Sequence, residues 1–291
     1  LWVDIDLDAG GTLDPVASSL SLRDSERRRI ESDEGVARLV YGGERVHLTL
    51  EAIELHDPSA PDTPLVRREI DLLAIPGVVV SVHHGRVDAL ERFVEQLSGE
   101  TTLGALDAAD LMSSLVDEVI GGYHAVAERI EKEIDRLDQV ALRGSDTNLL
   151  VRLVEIRRRI AFVRRTLAPH RGALAALGRP EMRSESGLGE PSPGPAERLE
   201  SALSSIEALR DALLGTYDIY MGREAQRTND VMKVLTMVSA VFLPAVVLAG
   251  IMGMNFQLPF FDESSNFFGV VGLMAATGIG LVLFARWRRW L

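Results

Sequence analysis

The chain has 291 residues, no Cys, and a formal net charge of −12 from 31 Lys and Arg against 43 Asp and Glu. The missing Cys excludes a disulfide framework and a thiolate metal centre. The acidic balance argues against nucleic-acid binding, which sets Lys and Arg against phosphate, and favours the attraction of cations.

The opening residues, Leu1-Trp2-Val3-Asp4, lack the basic region and apolar run of a signal peptide. They begin without Met inside an apparent strand, which predicts a truncated N-terminus. Residues 2–7, 37–41, 45–55, 69–74 and 78–83 read as strands, with a hairpin turn at Gly42-Gly43 and a helix over 86–97. Residues 103–142 read as one long amphipathic helix. Its apolar stripe is Met112, Leu115, Val119, Val126, Ile130, Ile134 and Leu137. A turn at 144–146 leads into a returning helix over 148–177, making an antiparallel hairpin. Glu128, Glu131, Glu133 and Asp135 on one arm and Arg157, Arg158, Arg159, Arg164 and Arg165 on the other predict ion pairs between the arms. Residues 178–195 are rich in Gly, Pro, Ser and Glu and read as a loop, and Pro195 suits the first turn of a helix. From 196 to 252 only Pro244 interrupts helical register, which predicts a rod roughly 85 Å long.

Two uncharged apolar runs follow, at 234–254 and 267–285. Each is about 20 residues long, enough to cross the hydrocarbon core of a bilayer. Arg223, Arg227 and Lys233 precede the first run, and Arg286, Arg288 and Arg289 follow the second. The connecting loop carries Asp262 and Glu263 but no Lys or Arg. The positive-inside rule then places both termini in the cytoplasm and the loop outside, with Trp287 and Trp290 as interfacial anchors. The predicted class is α+β, in four parts. These are a cytosolic α/β domain (1–100), a helical hairpin with its loop (101–195), a stalk helix (196–233) and a two-span transmembrane hairpin (234–291). The protein is expected in the cell membrane.

Stepping back from Gly253 in threes and fours meets Gly250, Val246, Leu243, Ser239, Thr236, Met232 and Asn229, then Ala225, Gly222, Asp218, Gly215 and Asp211. A mean step near 3.5 keeps one helix face turned to a common axis. A dry seam would carry Leu, Ile and Val; this one is mostly small, polar or acidic. Small residues also suit close helix packing in lipid, and that alternative stands on the seam alone. Asp211 and Asp218 favour a wet axis, where stacked carboxylates form rings that gather cations, and a solvated outer face of the helix is the alternative for them.

These residues resemble the CorA family of divalent-cation channels. The family hallmark, Tyr-Gly-Met-Asn at the outer end of the first span, stands here as Met252-Gly253-Met254-Asn255. The likeness continues through Asn229, Val231-Met232-Lys233, Leu235-Thr236, Phe242, Pro244 and Ala249-Gly250-Ile251. It includes the ending Trp287-Arg288-Arg289-Trp290-Leu291, with Arg210-Asp211, Asp218-Ile219-Tyr220 and Ser81-Val82-His83 in looser agreement. The resemblance implies a homopentamer with a central pore lined by the first span. It implies a selectivity filter of Gly253, Met254 and Asn255, a hydrophobic constriction at Met232 and Leu235, and a polar ring at Asn229. The remaining pore-lining positions are Thr236, Ser239, Leu243, Val246 and Gly250. The sequence departs from the family at Met252, Gln257, Leu258-Pro259-Phe260 and Val246, which bears on cation capture and ion choice.

A ring of Asn255 side-chain oxygens suits a hydrated Mg²⁺, which gives up its waters reluctantly, because conduction needs binding weak enough to allow exit. Asn255 also suits a helix C-cap. All six His residues (47, 56, 83, 84, 124 and 170) lie before the spans. The predicted pore therefore offers no imidazole or thiolate for a stripped Zn²⁺. No nucleophile–base pair or phosphate loop stands out, so no enzyme is expected and no cofactor. The expected activity is passage of hydrated Mg²⁺, or Co²⁺ or Ni²⁺, down its electrochemical gradient, with Mg²⁺ itself closing the channel from the cytosolic side. The alternatives are a Zn²⁺ transporter of the ZntB kind and a non-conducting membrane-anchored scaffold.

Overall fold

The computed structural model describes residues 1–20, 22–31, 35–56, 64–99, 107–144, 148–179, 181, 194–254 and 264–287. The chain divides into two compact units, Leu1–Asp218 and Ile219–Leu291. The first unit opens with β1 (Trp2–Asp6), α1 (Asp14–Ser19), α2 (Asp24–Ile30), β2 (Arg38–Gly42), β3 (Arg45–Leu55), β4 (Leu65–Ile75), β5 (Val78–His83) and α3 (Asp88–Gly99). It continues with α4 (Ala108–Arg143), α5 (Leu149–Leu167) and α6 (His170–Leu177). A 59-residue helix, α7 (Gly194–Met252), runs from this unit into the second, which ends with α8 (Ser264–Trp287).

The strands form one sheet in the order β1-β5-β4-β3-β2, antiparallel except for the parallel pair of β1 with β5. Side chains alternate between faces along a strand. One face carries the buried Val46, Leu48, Leu50, Ile70, Leu72 and Val79. α4 packs on β3, β4 and β5, and α3 packs on α4. Trp2 at the sheet edge meets Phe93 of α3 edge-on, with ring centroids 5.3 Å apart.

The other face is half apolar and half polar. Ile5, Leu73, Val80 and Val82 close against Leu13, Leu20 and Ile30 of the α1–α2 region. Beside them, β3 and β4 bury His47, Thr49, Glu51, Glu69 and Asp71. Burying a charge is costly unless it is paired, and each group here has a partner. Asp71 Oδ1 lies 2.6 Å from His47 Nε2 and accepts from Thr49 Oγ1 at 2.7 Å. Glu51 accepts from Arg67 at 2.8 Å, and Glu69 accepts the Gly35 amide at 2.5 Å.

The helices α4, α5 and the first part of α7 form a bundle. The whole stripe expected on α4, from Met112 to Leu137, is buried. Asp107 caps α4 by accepting the Asp110 amide, and Gly144 closes it in the left-handed conformation at φ 69°. Leu199, Ile206, Leu209 and Leu213 of α7 are buried. α7 is tied to the hairpin by Arg171–Glu200 at 2.6 Å, Arg198–Asp117 at 3.7 Å and Arg164–Glu207 at 3.7 Å.

The ion pairing expected between the hairpin arms is mostly not made. Among the described residues one such pair forms, Glu133–Arg159 at 2.6 Å, with both side chains largely buried. The other named charges sit on the outer flanks of the two helices, out of each other's reach. The returning helix is also broken, into α5 and α6, at Pro169. Proline has no amide to donate, so the helical ladder loses a bond there, while Ala168 and Pro169 themselves keep right-handed helical angles.

That break sets His170 against the sheet. β2 ends its ladder at Arg38 opposite Thr49, so the Glu51 amide finds no strand partner on that side. His170 Nε2 accepts it at 3.1 Å. An amide can only donate, so Nε2 is unprotonated, and Nδ1–H donates to the Leu167 carbonyl at 3.1 Å. Tyr123 packs edge-on against the imidazole and donates to the Glu51 carbonyl at 2.6 Å. Burial lowers the His170 pKa to about 4. An unfolded His titrates near 6.5, so the unfolded chain takes up the proton first as pH falls. Stability contributed by neutral His170 is therefore full above about 6.5 and lost between about 6.5 and about 4, a change of about 3 kcal/mol. Thermal unfolding of the detergent-solubilised chain is expected to move to lower temperature between pH 7 and pH 5. His170→Gln, which keeps an acceptor but does not titrate, should remove most of that shift.

Candidate ion pathway

In the second unit the two apolar helices meet along one stripe each. On α7 the shielded positions are Met237, Val241, Pro244, Ala245, Leu248 and Met252, in steps of 4, 3, 1, 3 and 4. On α8 they are Val270, Met274, Thr277, Gly278, Leu281 and Ala285, with the same stepping. Gly278 allows close approach: a Cβ there would stand 3.6 Å from Val241 Cγ1. In lipid such contacts come from packing against small residues and not from hydrophobic driving force.

The positions singled out for the pore are on another side. Asn229, Met232, Leu235, Thr236, Ser239, Leu243, Val246, Gly250, Gly253 and Met254 are all exposed in the single chain. Leu243 is 65% exposed and Val246 62%. At 3.6 residues per turn each residue advances about 100°, so within the span the centre of this seam lies about 170° from the centre of the α8-facing stripe. The second span thus covers the Met237–Met252 stripe of α7 and leaves open the side with Gly250, Ser239 and Asn229, which also carries Leu243 and Val246. A Cβ built on Gly250 meets nothing within 4 Å. The Thr236 hydroxyl donates to the Met232 carbonyl at 2.8 Å, which turns its oxygen lone pairs outward.

Lower on α7, in the first unit, Asp211 and Asp218 are exposed, away from the buried stripe formed by Leu199, Ile206, Leu209 and Leu213. Asp230, not among the expected positions, sits off the seam, paired with Lys233 at 3.5 Å and bonded by Gln226 at 3.1 Å. At the other end α7 stops at Met252, where Gly253 N–H reaches the Ala249 carbonyl at 2.9 Å and Met254 N–H reaches that of Ile251 at 3.2 Å. Asn255, the loop acids Asp262 and Glu263, and Arg288, Arg289 and Trp290 lie outside the described residues. Trp287, at the end of α8, is 79% exposed, and its ring centroid is 6.2 Å from that of Phe284.

His83 and His84 have local partners. His83, ending β5, has Nδ1 2.6 Å from the Gly85 carbonyl and Nε2 3.3 Å from Asp4, and His84 Nδ1 lies 3.1 Å from Asp8. Burial opposes charge on His83, but hydrogen bonding and attraction to Asp4 outweigh it and raise its pKa. Among the described residues no group of three or more His, Asp or Glu is placed to hold a metal ion. Sequence reasoning missed the α8-facing stripe of α7, whose signal was a second 3-and-4 stepping through Met237, Val241, Leu248 and Met252.

Both helices are long and apolar enough to cross a membrane. A family described as CorA-like Mg²⁺ transporter protein matches residues 1–286. The cobalt/magnesium transport protein CorA of Thermotoga maritima is 29% identical over 187 residues, 62% of this chain. The match covers 52% of that protein, so it spans about half of the relative's length. The protein of the same name from Methanocaldococcus jannaschii is 21% identical over 283 residues, covering 94% of this chain and 82% of that one. The complete structure of the CorA magnesium transporter of that archaeon superposes with a TM-score of 0.78 at 19% identity, covering 100% of this chain and 91% of the other. The cytoplasmic domain of ZntB from Vibrio parahaemolyticus shares the fold over 77% of this chain, with a TM-score of 0.59 at 12% identity. On the match from residue 1 to 286, the chain belongs to the CorA-like Mg²⁺ transporter family, whose members are membrane transport proteins and not enzymes.

Proposed function

We propose that the protein conducts hydrated divalent cations, Mg²⁺ first and Co²⁺ or Ni²⁺ with it, down their electrochemical gradient. The pore lies on the axis of a homo-oligomer, a pentamer by family resemblance. One observation carries this reading: α8 takes up one side of α7, and the opposite side bears the Gly, Ser, Thr and Asn residues that a wet axis needs. In this reading Gly253, Met254 and Asn255 form the filter, with Asn255 holding the ion through its waters. Met232 and Leu235 constrict the pore above the Asn229 ring. Thr236, Ser239, Leu243, Val246 and Gly250 line it, and Asp211 and Asp218 gather cations. Asp262 and Glu263 attract cations at the outer mouth. Both termini and the residues before the first span are cytoplasmic. Mg²⁺ is cargo and regulator, and no cofactor takes part.

Initial uptake of Mg²⁺, Co²⁺, Ni²⁺ and Zn²⁺ into proteoliposomes tests the reading. Mg²⁺ is expected to enter, and Mg²⁺ preloaded on the cytoplasmic side to slow it, because acidic subunits that repel one another close up when cations bridge them. Zn²⁺ entering alone would establish the ZntB-like alternative, and no uptake of any ion would leave a scaffold. The absence of His and Cys from both apolar runs favours a hydrated ion over a stripped Zn²⁺.

A further inference from the structure

We infer that the α4–α5 hairpin docks side by side on the same hairpin of a second copy, the basic flank of α5 against the acidic flank of α4. The inference rests on the copies assembling around one axis, and on features of the hairpin that the pore does not use. The Glu133–Arg159 pair fixes which residues of the two antiparallel helices share a level. Counting outward from it, Asp135 is level with Arg157 and Glu128 with Arg164.

Of the charges that do not meet within the hairpin, most of the acids lie on one flank of α4 and most of the Arg residues on one flank of α5, while Lys132 and Arg136 border the acidic flank and Glu155 lies off the basic one. On α4, Glu128, Glu131 and Asp135 lie about 140–160° around the helix from Glu133, on the side facing away from α5. On α5, Arg157, Arg158, Arg164 and Arg165 lie about 100–160° from Arg159, on the side facing away from α4. Ala161 and Ala168 sit between the two Arg rows, so the basic flank is low and lets a neighbouring helix come near. Arg157, Arg158 and Arg165 have no ion-pair partner among the described residues, nor have Glu131 and Asp135, and all five are exposed. Glu128 has a loose contact with Lys132 at 3.9 Å, and Arg164 one with Glu207 at 3.7 Å.

The hairpin thus carries an acidic row bordered by Lys132 on one flank and a basic row on the other, at the same height. Copies related by rotation about an axis along the hairpin present those flanks to each other in register. A contact between two different patches repeats around a ring until it closes. Exposed ion pairs add little affinity individually, but complementary rows fix orientation and register and disfavour reversed packing. The arrangement explains why so acidic a chain concentrates Arg on one helix face without pairing it internally.

The chain has no Cys, so thiols can be placed singly. Full-length chains carrying Asp135→Cys, Arg157→Cys or both are assembled in detergent and treated with a short bis-maleimide. The double variant is expected to give a ladder of linked chains, a mixture of the two single variants to give linked dimers, and each single variant alone to stay unlinked. Adding Arg158→Glu and Arg165→Glu should lower the linked yield at low salt by at least about fivefold, and adding Glu128→Arg and Glu131→Arg on top should restore it. No linking in chains that remain co-assembled overturns the contact. Linking that is indifferent to charge reversal overturns the complementarity and leaves the Arg flank to another anionic surface, such as lipid headgroups. Mg²⁺ uptake by unlinkable chains would leave the pore reading intact, and linked chains without uptake would discard the pore alone.

Discussion

Gly250→Phe is expected to reduce initial Mg²⁺ uptake into proteoliposomes by at least about tenfold, while Gly272→Phe leaves it within about twofold. The two glycines are matched controls, because a Cβ at either meets no atom within 4 Å in the single chain. Neither substitution disturbs the packing of α7 on α8. They differ in which way they face. Gly250 is on the α7 seam, and Gly272 is on the side of α8 away from α7, where the pore reading expects lipid. If copies of the seam surround a water column, the aromatic rings introduced in place of Gly250 converge on it from every copy, and an apolar constriction empties a narrow pore of water. Size-exclusion chromatography of both variants should show assembly unchanged. Equal uptake by both would place the pathway elsewhere.

Asn255→Ala is expected to lower Mg²⁺ uptake by at least about tenfold, because the ring of oxygens that meets the ion's water shell is lost. Asn255→Asp separates two accounts of that ring. A carboxylate also accepts hydrogen bonds from coordinated water, but a ring of full charges holds a divalent ion too firmly to release it. Uptake by the Asp variant should therefore fall too, with half-saturation at a lower Mg²⁺ concentration. A ring that served only to concentrate cations at the mouth would instead conduct faster with carboxylates. Parental uptake by the Ala variant removes the filter assignment.

Elements with a clean period were legible from residues alone. The strands Arg45–Leu55 and Val78–His83 have the expected ends, because apolar alternation and the flanking Gly mark them. The long helix into the first span was readable as one continuous helix, since nothing but Pro244 interrupts it. α1 and α2 were not foreseen. They are short, and α2 reads Asp-Ser-Glu-Arg-Arg-Arg-Ile, with Ile30 its one buried apolar anchor. β4 begins four residues earlier than expected, because Arg67 and Arg68 look like loop while Arg67 reaches the buried Glu51. The break at Pro169 was open to reading from proline chemistry, but the apolar residues on both sides hid it. Ion pairing between the hairpin arms was overestimated, since composition shows how many charges an arm carries and not which way they face.

In the spans the polar side of α7 stood out, because Asn229, Ser239 and Gly250 contrast with lipid-like neighbours. The α8-facing side did not, because Val, Leu and Met suit a helix neighbour and a lipid tail equally well. The structure separates them by contact, and the side left over is the one that carries the small and polar residues together with Leu243 and Val246.

The most direct test is a thiol scan of residues 229–254, one Cys at a time in this Cys-free chain, with a small membrane-impermeant reagent and uptake as readout. The account predicts that Cys at Ser239, Leu243, Val246 and Gly250 reacts and that reaction blocks Mg²⁺ uptake. Cys at Met237, Val241 and Leu248, under α8, should not react. Reaction along the α8-facing stripe, or seam thiols that never react while uptake continues, would contradict the account.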